Sequence, residues 1–126
     1  MTTQNLTGYP SIDKPWLKYY TEEAVNAPLP ECTAYDLVYR GNAEHLNDVA
    51  LIYFDIKITY GRLFEEIENT ARAFSAQGIR RGDIVILCLV NMPETVFALY
   101  ALDRLGAVAN LVDPRTNPEQ LTSYIN

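Results

Sequence analysis

The stretch that most restricts the fold is Pro93–Leu105. Its centre, Val96-Phe97-Ala98-Leu99-Tyr100-Ala101-Leu102, is apolar on nearly every side of a helix. A surface helix shows one polar face, whereas one that is apolar all round is buried. Apolar runs of strand length flank it, Ile84–Val90 before and Ala107–Val112 after. This order predicts two parallel strands joined by a crossover helix, which such pairs make right-handedly. The unbroken run Ile84–Val90 predicts a strand covered on both faces. A chain of 126 residues offers little material to bury such a layer. The expectation is therefore either self-association or a slice of a larger layered domain.

Local signals place the other elements. Residues 1–31 carry Pro10, Pro15, Pro28 and Pro30 with Tyr9, Trp16, Tyr19 and Tyr20 between them. That composition predicts an extended, irregular N-terminal arm whose aromatics dock on the body formed by residues 32–126. Thr33-x-x-Asp36 is an N-cap pattern that predicts a helix from Ala34 to about Tyr39, ending at Gly41-Asn42. Val49–Tyr53 and Lys57–Tyr60, with a turn at Asp55-Ile56, predict a hairpin. Leu63, Ile67, Ala71 and Phe74 share one face of a helix that starts at Thr59 or Tyr60 and runs to about Gln77. Gly78 supplies its left-handed stop, and Glu68 with Arg72 its i,i+4 ion pair. Asn91-x-x-Glu94 predicts the cap of the apolar helix, with Pro93 in its first turn and Gly106 at its end. Asn117-Pro118-Glu119-Gln120 is a capping box that opens one more helix. That helix is expected to be broken off by the chain end, as in a truncated domain.

Charge and cysteine content exclude several functions. The net charge of −6, from 16 acids against 10 bases, disfavours nucleic acid as a partner. Cys32 and Cys88 form no C-x-x-C pair, and Cys88 reads as a small buried hydrophobe. Free thiols of this kind fit a reducing cytoplasm. With His45 as the only histidine, no metal cluster is expected. Met1–Asn5 lacks the basic start of a signal peptide, and no apolar run reaches the length of a membrane span. Glu65, Glu66 and Glu68 complement a helix N-terminus better than they would hold a metal. Ser75 fits no nucleophile elbow.

The ordered set of short motifs resembles a known family. It comprises Ile58-Thr59-Tyr60 leading a helix, then Gly78-Ile79-Arg80-Arg81-Gly82-Asp83-Ile84-Val85. Asn91-Met92-Pro93-Glu94 follows, then Leu105 through Arg115, and Pro118-Glu119-Gln120-Leu121. Over residues 50–126 this order and spacing resemble the N-terminal region of the adenylate-forming enzymes, the acyl-CoA synthetase superfamily. Residues 9–49 look like the lead-in of bacterial fatty acyl-CoA ligases. Arg62 departs from the pattern, which often has an acid there. A cation at a helix start loses a capping box, and a small stability cost is expected.

The resemblance implies an α/β fold: a partial parallel βαβ layer with an N-terminal arm and a hairpin. It implies that residues 32–126 are the first part of an AMP-binding domain. It also implies a ligase in the parent protein. There a carboxylic acid, expected to be a fatty acid, attacks ATP to give an acyl-adenylate and pyrophosphate; CoA then displaces AMP to give a thioester. Such chemistry needs Mg²⁺, lysine and a Gly/Ser/Thr-rich loop on the phosphates. This chain contains neither Gly-x-Gly-x-x-Gly nor Gly-x-x-x-x-Gly-Lys-Ser/Thr. These residues alone are therefore expected to be inactive, to bind neither ATP, Mg²⁺ nor CoA, and to form a homo-oligomer in place of the missing rest of the parent chain.

Asp113-Pro114-Arg115-Thr116 leaves the carboxyl end of a parallel strand, where open α/β sheets place ligands. By the resemblance, Asp113, Arg115 and Thr116 lie near a CoA path, and Arg115 meets a CoA phosphate in the parent. The plainer reading, a turn at Asp113-Pro114 with Arg115 solvated, is the preferred one, since charged loop residues are usually surface. Two alternatives to the ligase remain open. One is a free-standing α/β binding or dimerisation module; the other is the start of a peptide-synthesis adenylation domain, which differs in its carrier thiol.

Overall fold

A computed structural model describes residues 6–125. The readings made at Met1–Asn5 and at Asn126 lie outside the described residues. The chain divides between Glu31 and Cys32 into two compact units.

In the first unit, short helical turns interrupt the extended backbone expected of the arm. These are α1 (Pro10–Asp13), a 3-10 turn (Pro15–Tyr19) and α2 (Glu22–Asn26). Pro10 and Pro15 each open a turn, where a missing amide proton costs nothing. The Asp13 carboxylate accepts from the Thr7 and Gly8 amides, both at 2.9 Å, and from the Thr7 hydroxyl at 2.8 Å. Those bonds, led by the Thr7 amide, hold its pKa below the ordinary carboxylate value. The Thr21 hydroxyl caps α2 by accepting from the Ala24 amide.

The second unit runs α3 (Ala34–Asn42), β1 (Val49–Tyr53), β2 (Ile56–Thr59), α4 (Tyr60–Ala76), β3 (Ile84–Leu87), α5 (Pro93–Leu105), β4 (Val108–Leu111) and α6 (Pro118–Ile125). The caps follow from local chemistry. Thr33 and Asp36 form a complete capping box on α3. The Thr59 hydroxyl accepts from the Arg62 amide at the start of α4. The Asn117 side chain accepts from the Gln120 amide at 2.9 Å on α6. Gly78 and Gly106 take positive φ, 98° and 71°, at the ends of α4 and α5.

Each two-stranded sheet pairs only its own members. β1 and β2 are antiparallel; β3 and β4 are parallel, with Ile84 opposite Val108 and Leu87 opposite Leu111. The hairpin turn falls at Phe54-Asp55, one residue earlier than expected, because Tyr53 pairs with Ile56. Phe54 accordingly occupies the left-handed region, φ 51°. Ahead of β3, the Gly82 amide donates to the Gly106 carbonyl at 2.9 Å, and the Val108 amide to the Asp83 carbonyl at 2.8 Å.

α5 is the centre of the unit. Phe97, Ala101 and Leu105, four residues apart, join Leu63, Phe64, Ile67 and Ala71 of α4 in one cluster. Tyr35 and Val38 of α3 and Leu51 and Ile58 of the hairpin pack against it. Ala98 and Leu102 lie in a second cluster with Leu87 and Ala107, against which Val85 and Ala109 pack. Ile67, Ala101 and Leu102 are fully buried. Within this chain Pro93, Ala98, Ala101 and Leu102 of α5 are buried, and Val96, Phe97, Leu99 and Tyr100 are half-buried.

One uncovered apolar surface lies on β3–β4. The expectation that β3 is covered on both faces is overturned: Ile84 is 71% exposed and its register partner Val108 52%. Side chains alternate along a strand, so Val85 and Leu87 meet the helices while Ile84 turns away from them. β3 also stops at Leu87 rather than Val90, since β4 offers only four residues to pair with. Leu89 and Val90 are exposed beyond its end, and Cys88 is half-buried rather than buried.

Two further expectations are corrected. Asn91 does not cap α5: the cap position is Met92 without a side-chain bond, and the Thr95 hydroxyl instead donates to the Val90 carbonyl at 2.6 Å. Glu68 does not pair with Arg72. It accepts from Arg104 of α5 at 2.8 Å, while Arg72 bonds Asn69. At the start of α4, Arg62 pairs with Glu65, at 2.9 Å, and with Glu66. Beside the α4–α5 bridge, Asp103 accepts from the Tyr35 amide at 2.7 Å, satisfying a free donor of α3. The Arg104 guanidinium lies 5.7 Å from the centre of the Tyr35 ring.

Two substitutions test this account by urea denaturation. Ile67→Ala leaves a cavity against α5 and is expected to cost about 2–5 kcal/mol. Gly106→Ala forces an alanine into the left-handed region, at a cost of about 1–2 kcal/mol. Its Cβ would also sit 3.0 Å from the Arg81 Cγ. An unchanged midpoint for either would contradict the packing described.

Candidate functional site

Residues that follow the strands β3 and β4 meet at the carboxyl end of the parallel pair. The Val112 amide donates to the Leu87 carbonyl at 3.1 Å, carrying the pairing one step past Leu111. There the two exit segments part and leave an open groove of about 430 Å³. Leu89, Val90, Asn91 and Thr95 line one side, and Leu111 through Arg115 the other. The crevice outside the carboxyl ends of parallel strands is where open α/β sheets bind ligands.

The exit turn is built by Asp113. Its carbonyl accepts from the Thr116 amide at 2.9 Å, closing the turn across Pro114 and Arg115. Its carboxylate takes the Arg115 amide at 2.8 Å and the guanidinium in a fork, Nε at 3.0 Å and Nη2 at 2.6 Å. The Arg115 side chain bonds, then its amide, hold the Asp113 pKa below the ordinary carboxylate value. The same pairing raises the pKa of Arg115.

The three residues singled out in the sequence share this turn but do not all line the groove. Asp113 and Arg115 come together on the groove as a neutralised pair. Thr116 lines a neighbouring hollow of about 270 Å³, which Asp113 also borders, with Asn110, Leu111, Val112 and Tyr124. Leu89, Val90, Asn91 and Thr95 were not singled out as site residues. Their position just past a strand's carboxyl end was the signal available.

The groove past β3 and β4 carries one ion pair. Its walls are mainly apolar, its charged pair is internally compensated, and no histidine lines it. Among the described residues, no group of three or more His, Cys, Asp or Glu could hold a metal ion. No described helix is long and apolar enough to cross a membrane.

Residues 38–126 match the family model described as "AMP-binding enzyme". The chain belongs to the AMP-binding enzyme family. Among its relatives, an acetyl-coenzyme A synthetase of Shewanella baltica (strain OS195) is 38% identical over 89 residues. That match covers 66% of this chain and 14% of the relative. The chain thus spans about a seventh of the length of that curated relative. An artificially fused adenylation–PCP di-domain from Klebsiella oxytoca, NpsA-ThdA, superposes with a TM-score of 0.71 at 26% identity. It covers 75% of this chain and 18% of its own. The NpsA N-terminal subdomain in complex with 3-hydroxyanthranilyl-AMSN gives the same TM-score and identity, over 75% of this chain and 24% of that one. The chain thus has the mixed α/β fold of the N-terminal subdomain of adenylation enzymes.

Asp113 provides a direct check of the turn. Its folded-state pKa is depressed, so the pairing contributes above the unfolded pKa and is lost as pH falls through the lower folded value. Carboxyl-carbon NMR should find Asp113 titrating below an ordinary aspartate, and moving back up in Arg115→Ala. An unshifted midpoint in the unsubstituted protein would rule out the fork.

Proposed function

We propose that this chain is the opening part of an acid–thiol ligase, with residues 32–126 forming the first layer of its AMP-binding domain and residues 1–31 an arm. The parent activates a carboxylic acid with ATP and Mg²⁺ as an acyl-adenylate, then passes the acyl group to CoA. The observation that carries this reading is the family match over residues 38–126, together with 38% identity to a protein named acetyl-coenzyme A synthetase. A fatty acid substrate follows from the look of residues 9–49. Free Cys32 and Cys88 fit a cytoplasmic setting. Asp113, Arg115 and Thr116 border the CoA path in this reading, with Arg115 exchanging the Asp113 carboxylate for a phosphate.

A second reading is favoured by the likeness to the NpsA-ThdA di-domain. Here the acceptor thiol belongs to a carrier protein rather than to CoA. A free-standing binding module is the third, and the ligand tests below bear on it.

The decisive experiment uses the full parent protein in acid-dependent ATP–pyrophosphate exchange, with acids from acetate to long-chain fatty acids. Exchange followed by CoA thioester formation supports the ligase. Exchange with transfer only to a carrier protein supports the second reading, and no exchange with any acid refutes both. For the 126-residue chain alone, ATP or CoA is expected to leave the thermal midpoint unchanged, because the phosphate-binding loop is not in its sequence. A reproducible rise with ATP would contradict this.

The isolated chain is also expected to self-associate. The uncharged strands β3 and β4 expose Ile84 and Val108 and, among the described residues, have no further strand beside them. Light scattering should report an oligomer at high concentration, and Ile84→Lys should shift it toward monomer with the circular dichroism unchanged. A monomer in the unsubstituted chain overturns the expectation.

A further inference from the structure

We draw no further inference here: the strongest candidate, the apolar tip of the β1–β2 hairpin where Ile52, Phe54 and Ile56 stand exposed, carries nothing because no feature of the structure shows what covers it.

Discussion

The packing of α4 on α5 is the contact on which the second unit depends. Ile67 and Leu102 are its largest fully buried side chains, and each belongs to a different cluster. α5 links those clusters because its small residues face both ways. Ala101 lets α4 come close, and Ala98 does the same for the strands. Alanine gives up little rotamer freedom and favours the helix, so close approach there carries little entropic penalty. Without α5, the hairpin side and the parallel-strand side would share almost no surface. Polar bonds then set orientation around the apolar seam: Glu68 with Arg104 across it, and Asp103 with the first turn of α3.

Much of the fold was legible because its signals are local. A threonine or asparagine three residues before a free amide is well placed to cap it, and Thr33, Thr59 and Asn117 do so. Glycines 78 and 106 end their helices for the same short-range reason. The face carrying Leu63, Ile67 and Ala71 was legible from spacing alone. What failed was whatever had a competitor elsewhere in space. Glu68 had Arg72 one turn away, yet Arg104 reaches it across the helix pair. Asn91 had the right spacing to cap, but the chain before Pro93 is held by Thr95 instead.

The candidate site was legible in place but not in composition. The rule that ligands lie past the carboxyl ends of parallel strands located the groove. Nothing in the sequence said that Arg115 would turn back on Asp113, or that Asp113 would border a second hollow with Thr116. Those outcomes depend on backbone direction through Pro114, which spacing does not encode. The burial of β3 misled for a related reason. An apolar sequence states what a strand tolerates, and only the surrounding layers state what it receives.

The bond from Gly82 to the Gly106 carbonyl, with that from Val108 to Asp83, fixes how far β4 slides along β3. Alignment of the two strands is therefore imposed by the loops at their entrance and not by interlocking side chains. Strand faces alternate residue by residue, so adding or deleting one residue between Gly78 and Asp83 would exchange inside for outside along β3. Leu87 would turn toward water and Ile84 toward the helices. The loop that joins α4 to β3 can thus be expected to tolerate changes of residue type far better than changes of length.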